Sequence, residues 1–461
     1  MKRYKRAAVW ILLCAMFIIV SMTDANAETM QNKEMGNIIC DLENGVLTIS
    51  GKGAIPECKH KKIKWSEAKA WTECEYDGSP DWTWYDKWYM EEVKSVVIEE
   101  GITSIPAHAF AHSFPNAQTL IIPSTVKRIG HAAFEGCGFR QVIMGDGVAS
   151  LGVAAFDDCT YLEIVKLSKN IKKIEERTFA GCISLKQISI PQKVEMIGES
   201  AFKSCWELKT VNWEGKSRLK EIESHAFDGC IIKKLTIPAS VKKIGEFAIG
   251  DVKEIQVEKK NKKYKSKNGV LFSKDGKTLI CYPVKKKGST YKIPKGVKTI
   301  GKNAFTGCLG PEENPYLKKL IMPDSVTVIK EEAFRGAKKL KTVHFSKSLK
   351  KIERNAFMRC PLTSLKLPSS LMYLEAGAFD CHKMKGTITV PKNVKEMGWG
   401  AFDNAHKIKK IVVKSKKLKK VSKIVGNTNK VKIVLPKSKQ EAYKKFFTKK
   451  TQGKNATFVY K

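Results

Sequence analysis

The chain is poor in acid: 46 Asp and Glu stand against 84 Lys and Arg in 461 residues, a formal net charge of +38. Beyond residue 20 no run is long and apolar enough to span a bilayer, so no transmembrane segment is expected after removal of a leader. Motifs that would carry chemistry are missing too. There is no G-x-x-x-x-G-K-S/T, no G-x-G-x-x-G, no H-E-x-x-H and no G-x-S-x-G, hence no phosphate loop, dinucleotide turn, zincin helix or nucleophile elbow. His108 and His112 lie four apart but only flank Phe110, and the pairs Asp157-Asp158 and Glu331-Glu332 fall in loops where no apolar pocket is implied to shift their pKa. We therefore expect no catalytic residue, no cofactor and no metal, and read the chain as no enzyme.

What the sequence has instead is a repeat. The stretch Ile129-Gly-His-Ala-Ala-Phe134-Glu-Gly-Cys137 recurs down the molecule. Its Phe returns at 110, 134, 156, 179, 202, 227, 305, 334, 357, 379 and 402, with Ile249 in a twelfth slot. Five residues before each slot stands an aliphatic residue or Met, from Ile105 to Met397, and eight before stands another, from Ile102 to Val394. Eleven before, seven copies carry Pro, and the run ahead of it, as in Leu185-Lys-Gln-Ile188-Ser-Ile190, alternates as a short strand does. Pro closes that strand without wasting a ladder donor. A unit this short cannot bury its own apolar side, so copies must stack and share one core. The expectation is a mainly β solenoid of about 12 coils with short helical turns, roughly 60 Å long at the inter-strand spacing.

The consensus L-x-x-I-x-I-P-x-S-V-x-x-I-G-x-x-A-F-x-G-C resembles the BspA-like, or Treponema pallidum-type, bacterial leucine-rich repeats over about Val96 to Val413. The resemblance implies a secreted or surface-displayed bacterial protein with an adhesive or binding role and no shared active site. It also implies a leader segment ahead of the repeats and a Y-x-x-x-x-G-V-L-F insert like Tyr264 to Phe272.

Four basic residues before the apolar run Ala7 to Val20, followed by Ala25-Asn26-Ala27, read as a signal peptide over 1–27 with export to the outside. Residues 28–92 read as an N-terminal capping region, 93–413 as the solenoid with a β-hairpin inserted at 258–292, and 414–461 as a lysine-rich C-terminal cap. The hairpin, turning at Asn268-Gly269 and Asp275-Gly276, is expected to protrude. Near the other end, Gln440 to Phe447 reads as a short amphipathic helix and Phe458 to Tyr460 as a closing strand. Most of the 13 cysteines follow a Phe slot by two or three, as Cys137, Cys205 and Cys381 do, and read as a ladder of free buried thiols. Cys58 and Cys74 stand off it and are disulfide candidates.

Thirteen residues before each slot lies the outward side chain of a strand. That column, on the sheet a leucine-rich solenoid commonly uses for binding, is Val97, Ile121, Ile143, Lys166, Ser189, Thr236, Lys292, Ile321, His344, Lys366 and Thr389, with Asn212 and Val412 joining it. It begins apolar and becomes mixed, which suits a protein partner better than a phosphate backbone; the expected ligand is a protein or glycan, with no specific nucleic acid. Trp82, Trp84, Tyr85 and Trp88 form a possible aromatic platform. A second reading takes the lysine-rich half, with 19 Lys and one acid from Ala405 to Lys461, as an anchor for an anionic cell-wall polymer such as teichoic acid.

Overall fold

The computed structural model describes residues 30–35, 37–56, 91–283, 285–306, 316–425, 430–453 and 455–461. The leader, the aromatic platform at Trp82, Trp84, Tyr85 and Trp88, Cys58, Cys74, Cys308 and the loop 309–315 lie outside the described residues.

One coil explains the rest. In the strand Thr119–Ile122, Leu120 and Ile122 are buried while Thr119 and Ile121 face out, the alternation of a half-covered sheet. Pro123 ends it, Val126 re-enters the core, and Arg128–Ile129 makes a two-residue strand whose Ile is buried. The chain then turns through Phe134, fully buried, back to the next long strand. Each of these three walls bonds to the neighbouring coil. Long strands pair in parallel, as Leu120 with Val142, and short strands likewise, as Ile129 with Leu151. The Phe turn pairs too: Phe134 N–H donates to Ala155 O at 2.9 Å and Gly136 N–H to Asp157 O at 2.7 Å. Backbone groups that a loop would leave to water are therefore satisfied coil against coil.

The turn has a fixed cost. The residue two before each slot adopts the left-handed conformation in all twelve coils, with φ between 47° and 61°. Only Asn303, Asn355, Gly377 and Gly400 are the residue types that tolerate it well. At the others, including Arg177, Ser200 and Glu332, the inter-coil bonds impose it. Gly130 is required for another reason: a Cβ there would lie 2.4 Å from Ala107 N in the coil behind.

The Phe rings form two stacks. Phe110, Phe134, Phe156, Phe179, Phe202 and Phe227 follow one another at 5.3–5.6 Å between centroids. Ile249 interrupts the file, which resumes with Tyr282 against Phe305 at 4.8 Å and continues to Phe402. Tyr282 N–H donates to Ala304 O at 2.7 Å, the bond that Phe makes elsewhere, so Tyr282 fills a thirteenth slot.

That position corrects the expected protrusion. Tyr264–Lys267, Val270–Ser273 and Thr278–Cys281 do form antiparallel hairpins at the expected turns. Yet Thr278–Cys281 also pairs in parallel with Thr299–Ile300, and Val270, Leu271, Phe272 and Leu279 are buried. The insert is a rung of the solenoid: Leu271 joins the core running from Ile38 to Ile255, and Val270 and Phe272 join the one running on to Ala456. Buried Asn261 fixes its entrance, donating to Pro238 O and Val241 O and accepting from Lys263 and Tyr264 N–H.

With this rung and one short strand beyond each end of the Phe series, the solenoid has about 15 turns rather than about 12. At the spacing of about 4.8 Å it is roughly 70 Å long. The hairpin Ile38–Glu43 and Val46–Gly51 extends the first sheet by pairing with Ser95–Ile98. At the far end Lys407–Val413, Val431–Leu435 and Ala456–Tyr460 pair in parallel, so the closing strand is present. The helix expected over Gln440 to Phe447 is a single turn, Gln440–Lys444, with buried Tyr443 accepting from Leu418 N–H at 2.9 Å and donating to Ser415 O.

Candidate functional site

The outward column is a physical row. Backbone pairing sets Thr48, Val97, Ile121, Ile143 and Lys166 side by side, and likewise Ser189 with Asn212, Thr236 with Gln256, Lys292 with Ile321 and His344, and Thr389 with Val412. Asn212 and Val412 thus take the places expected of them. Lys366 does not, since residues 361–368 form no strand, although its side chain is exposed.

Two positions before this row, a second outward row runs Ser95, Thr119, Gln141, Ile164. Ile164 is 54% exposed, and Tyr161, three residues earlier, is equally so. Arg140 sits over the Tyr161 ring at 6.0 Å and bonds Glu163, which Lys186 also contacts. These partners hold the Glu163 carboxyl below its ordinary range, Lys186 contributing most. Trp206, 58% exposed, belongs to the loop two coils on. The outcome is an aliphatic strip in which Val97, Ile121 and Ile143 share one row and Ile164 lies diagonally beside Ile143 in the next, bordered by Tyr161 and by Glu163 with its two basic partners. The column pattern named three of those four; Ile164, Tyr161 and Trp206 were missed because the positions after the Phe turn vary in type from coil to coil.

The thiols are oriented as donors. Cys137 Sγ approaches Phe110 O at 3.0 Å, and Cys159, Cys182, Cys205, Cys230, Cys360 and Cys381 repeat the contact one coil on at 3.0–3.2 Å. All are free and buried. Burial pushes Cys137 up to about 12 and Cys159, Cys182 and Cys205 well above the usual thiol range, which suits packing and not nucleophilic chemistry.

One carboxylate departs from expectation. Asp157 is 1% exposed, and burial raises its pKa to about 6 against the opposing pull of Arg177, whose Nε donates to Oδ2 at 2.7 Å. Oδ1 has no partner. Glu331 and Glu332 are engaged by Arg354 and Arg335. His108 packs edge-on against His131 at 4.9 Å, and among the described residues no cluster of three or more metal-ligating side chains occurs. No helix among them is long and apolar enough to cross a membrane.

Comparison with known proteins agrees with this geometry. The sequence profile of the BspA type leucine rich repeat region matches residues 103–218, 172–274 and 312–431. No curated protein matches the chain. Among solved structures, the pneumococcal vaccine antigen PcpA is similar over 95% of this chain and 100% of its own, at 23% identity and a TM-score of 0.60. A leucine rich cell surface protein from Faecalibacterium prausnitzii is similar over 95% and 97%, at 22% identity and a TM-score of 0.51. At these identities the likeness is one of fold.

Proposed function

Since the chain belongs to the BspA-type leucine-rich-repeat family of bacteria, we propose that it is a secreted or surface-exposed, non-enzymatic binding module, and that its outward sheet face docks a protein partner. The observation that carries this is the strip of Val97, Ile121, Ile143 and exposed Ile164 on neighbouring parallel strands. A solvent-facing aliphatic row has a hydration cost that association removes, about 25 cal/mol per Å² covered. The rim of Tyr161, Arg140 and Glu163 has the aromatic, polar-edged character of protein contact surfaces, and Trp206 is exposed two coils further on. Export is supported by the basic-then-apolar leader ending at Ala27.

The test is a protein and glycan array probed with the purified chain, repeated with Ile164→Glu and Tyr161→Ala, both exposed and therefore compatible with folding. We expect captured protein signals to fall at least tenfold at unchanged melting temperature. Unchanged signals, or capture of glycans alone, would refute the reading.

A further inference from the structure

The short-strand wall holds a feature of different chemistry. Seven residues before each Phe slot, one residue per coil lies just ahead of the two-residue strand, and a continuous backbone ladder joins these residues at the C-terminal half of the molecule. Lys298 N–H donates to Lys277 O, Thr327 to Lys298, Lys350 to Thr327, Met372 to Lys350, Lys395 to Met372 and Lys419 to Lys395, each at 2.7–2.8 Å. Five of seven consecutive rungs are therefore lysine, and none is acidic or aromatic. Lys277 reaches Asp275 at 3.7 Å, whereas Lys298, Lys350, Lys395 and Lys419 have no carboxylate partner among the described residues. Of the acids near the file, Glu353 is engaged by Lys330 and Lys351 and Glu375 by Lys351, while Glu396 directly follows Lys395 in the adjoining short strand. The result is a file in which four ammonium groups without an ion pair among the described residues span five inter-strand steps, about 24 Å at about 4.8 Å each.

We propose that this lysine file binds an extended phosphodiester polymer lacking nucleobases, of the polyol-phosphate kind, laid along the solenoid axis. Its linear charge matches a linear polyanion, for which Lys ammonium groups act as point charges on successive phosphates. The absence of aromatic rungs removes the stacking platform that single-stranded nucleic acid uses; the adjoining column offers only Tyr373 over these rungs. The site lies on a different wall from the aliphatic strip and does not rest on the protein-docking reading.

The experiment titrates fluorescent poly(glycerol phosphate) against the full chain. It is repeated for a variant with Lys298, Lys350, Lys395 and Lys419 all changed to Gln, and for a control with the sheet lysines Lys319, Lys385, Lys410 and Lys432 changed to Gln. Both variants remove four charges from exposed or half-exposed side chains, and melting temperatures check that both remain folded. The file variant is expected to lose affinity roughly tenfold or more at low salt, and its slope of log affinity against log salt to flatten by about 3, four contacts at about 0.7 each. The control should lose less than about threefold. Equal losses in the two variants, or none in the file variant, would overturn the proposal, and so would tighter binding of oligo(dT) than of poly(glycerol phosphate) through the same lysines. Ile164→Glu should leave this binding unchanged, which keeps failure here separate from failure of the docking face.

Discussion

Replacing Phe179 by Ala tests whether the ring stack holds the solenoid together. The ring is fully buried, and its centroid lies 5.6 Å from those of Phe156 and Phe202. Transfer of the lost apolar surface to water is worth about 2 kcal/mol. The cavity left between two coils that are bonded on three walls cannot collapse, which brings the expected loss to about 3–5 kcal/mol. Phe179→Leu, which refills most of the volume as Ile249 does naturally, should cost about 1–1.5 kcal/mol. Because each coil touches only its neighbours, the damage should be local. Hydrogen exchange should quicken at Phe179, whose N–H donates to Ala201 O, and at Gly181, which donates to Lys203 O, before it quickens at Phe357. Urea unfolding followed by circular dichroism gives the total. A loss below about 1 kcal/mol for Ala, or uniform acceleration of exchange along the chain, would refute the reasoning.

Other consequences follow from single contacts. Tyr282→Ala should cost about 3–5 kcal/mol and Tyr282→Phe less than about 1, by urea unfolding, if Tyr282 is a member of the stack. Ser200→Gly should raise stability by about 0.5–1 kcal/mol, because φ is 55° there; a loss would contradict the assigned backbone. Asp157 has a folded pKa raised to about 6 from 3.8, so the stability it contributes is full below about pH 4 and lost as pH rises through 6. Asp157→Asn should therefore flatten the pH dependence of the melting temperature between 4 and 7. Cys137 is raised likewise: its contribution persists below pH 9 and falls as pH rises towards 12, and the buried ladder thiols should resist iodoacetamide at pH 8 in the folded chain and react in 8 M urea.

The architecture was legible because its constraints are one-dimensional. Phe at the slot, aliphatics five and eight before and Cys three after each fill a fixed position in a shared core, so residue type and offset survive in the sequence. Tyr282 was not seen, although it lies 23 residues before Phe305, because its coil runs Leu279-Ile-Cys-Tyr282 and drops two residues of the usual lead-in. The hairpin signals at Asn268-Gly269 were correct, but local turn chemistry cannot say whether a hairpin stands out or joins the stack. The left-handed slot was hidden for the opposite reason. Arg177 and Glu332 are held there by bonds to Glu199 O and Arg354 O in the next coil, and nothing in their own chemistry announces it. For the candidate surfaces, the outward column was readable from alternation. The lysine file was diluted in a chain with lysine almost everywhere, and only the inter-coil bonds single it out.

The docking face is tested most directly by mapping hydrogen exchange on the chain with and without its captured protein partner. Protection concentrated on Ser95–Ile98, Thr119–Ile122, Gln141–Met144 and Ile164–Lys166 is predicted. Protection confined to the Phe turns or to the short-strand wall, with those four strands unchanged, would contradict it.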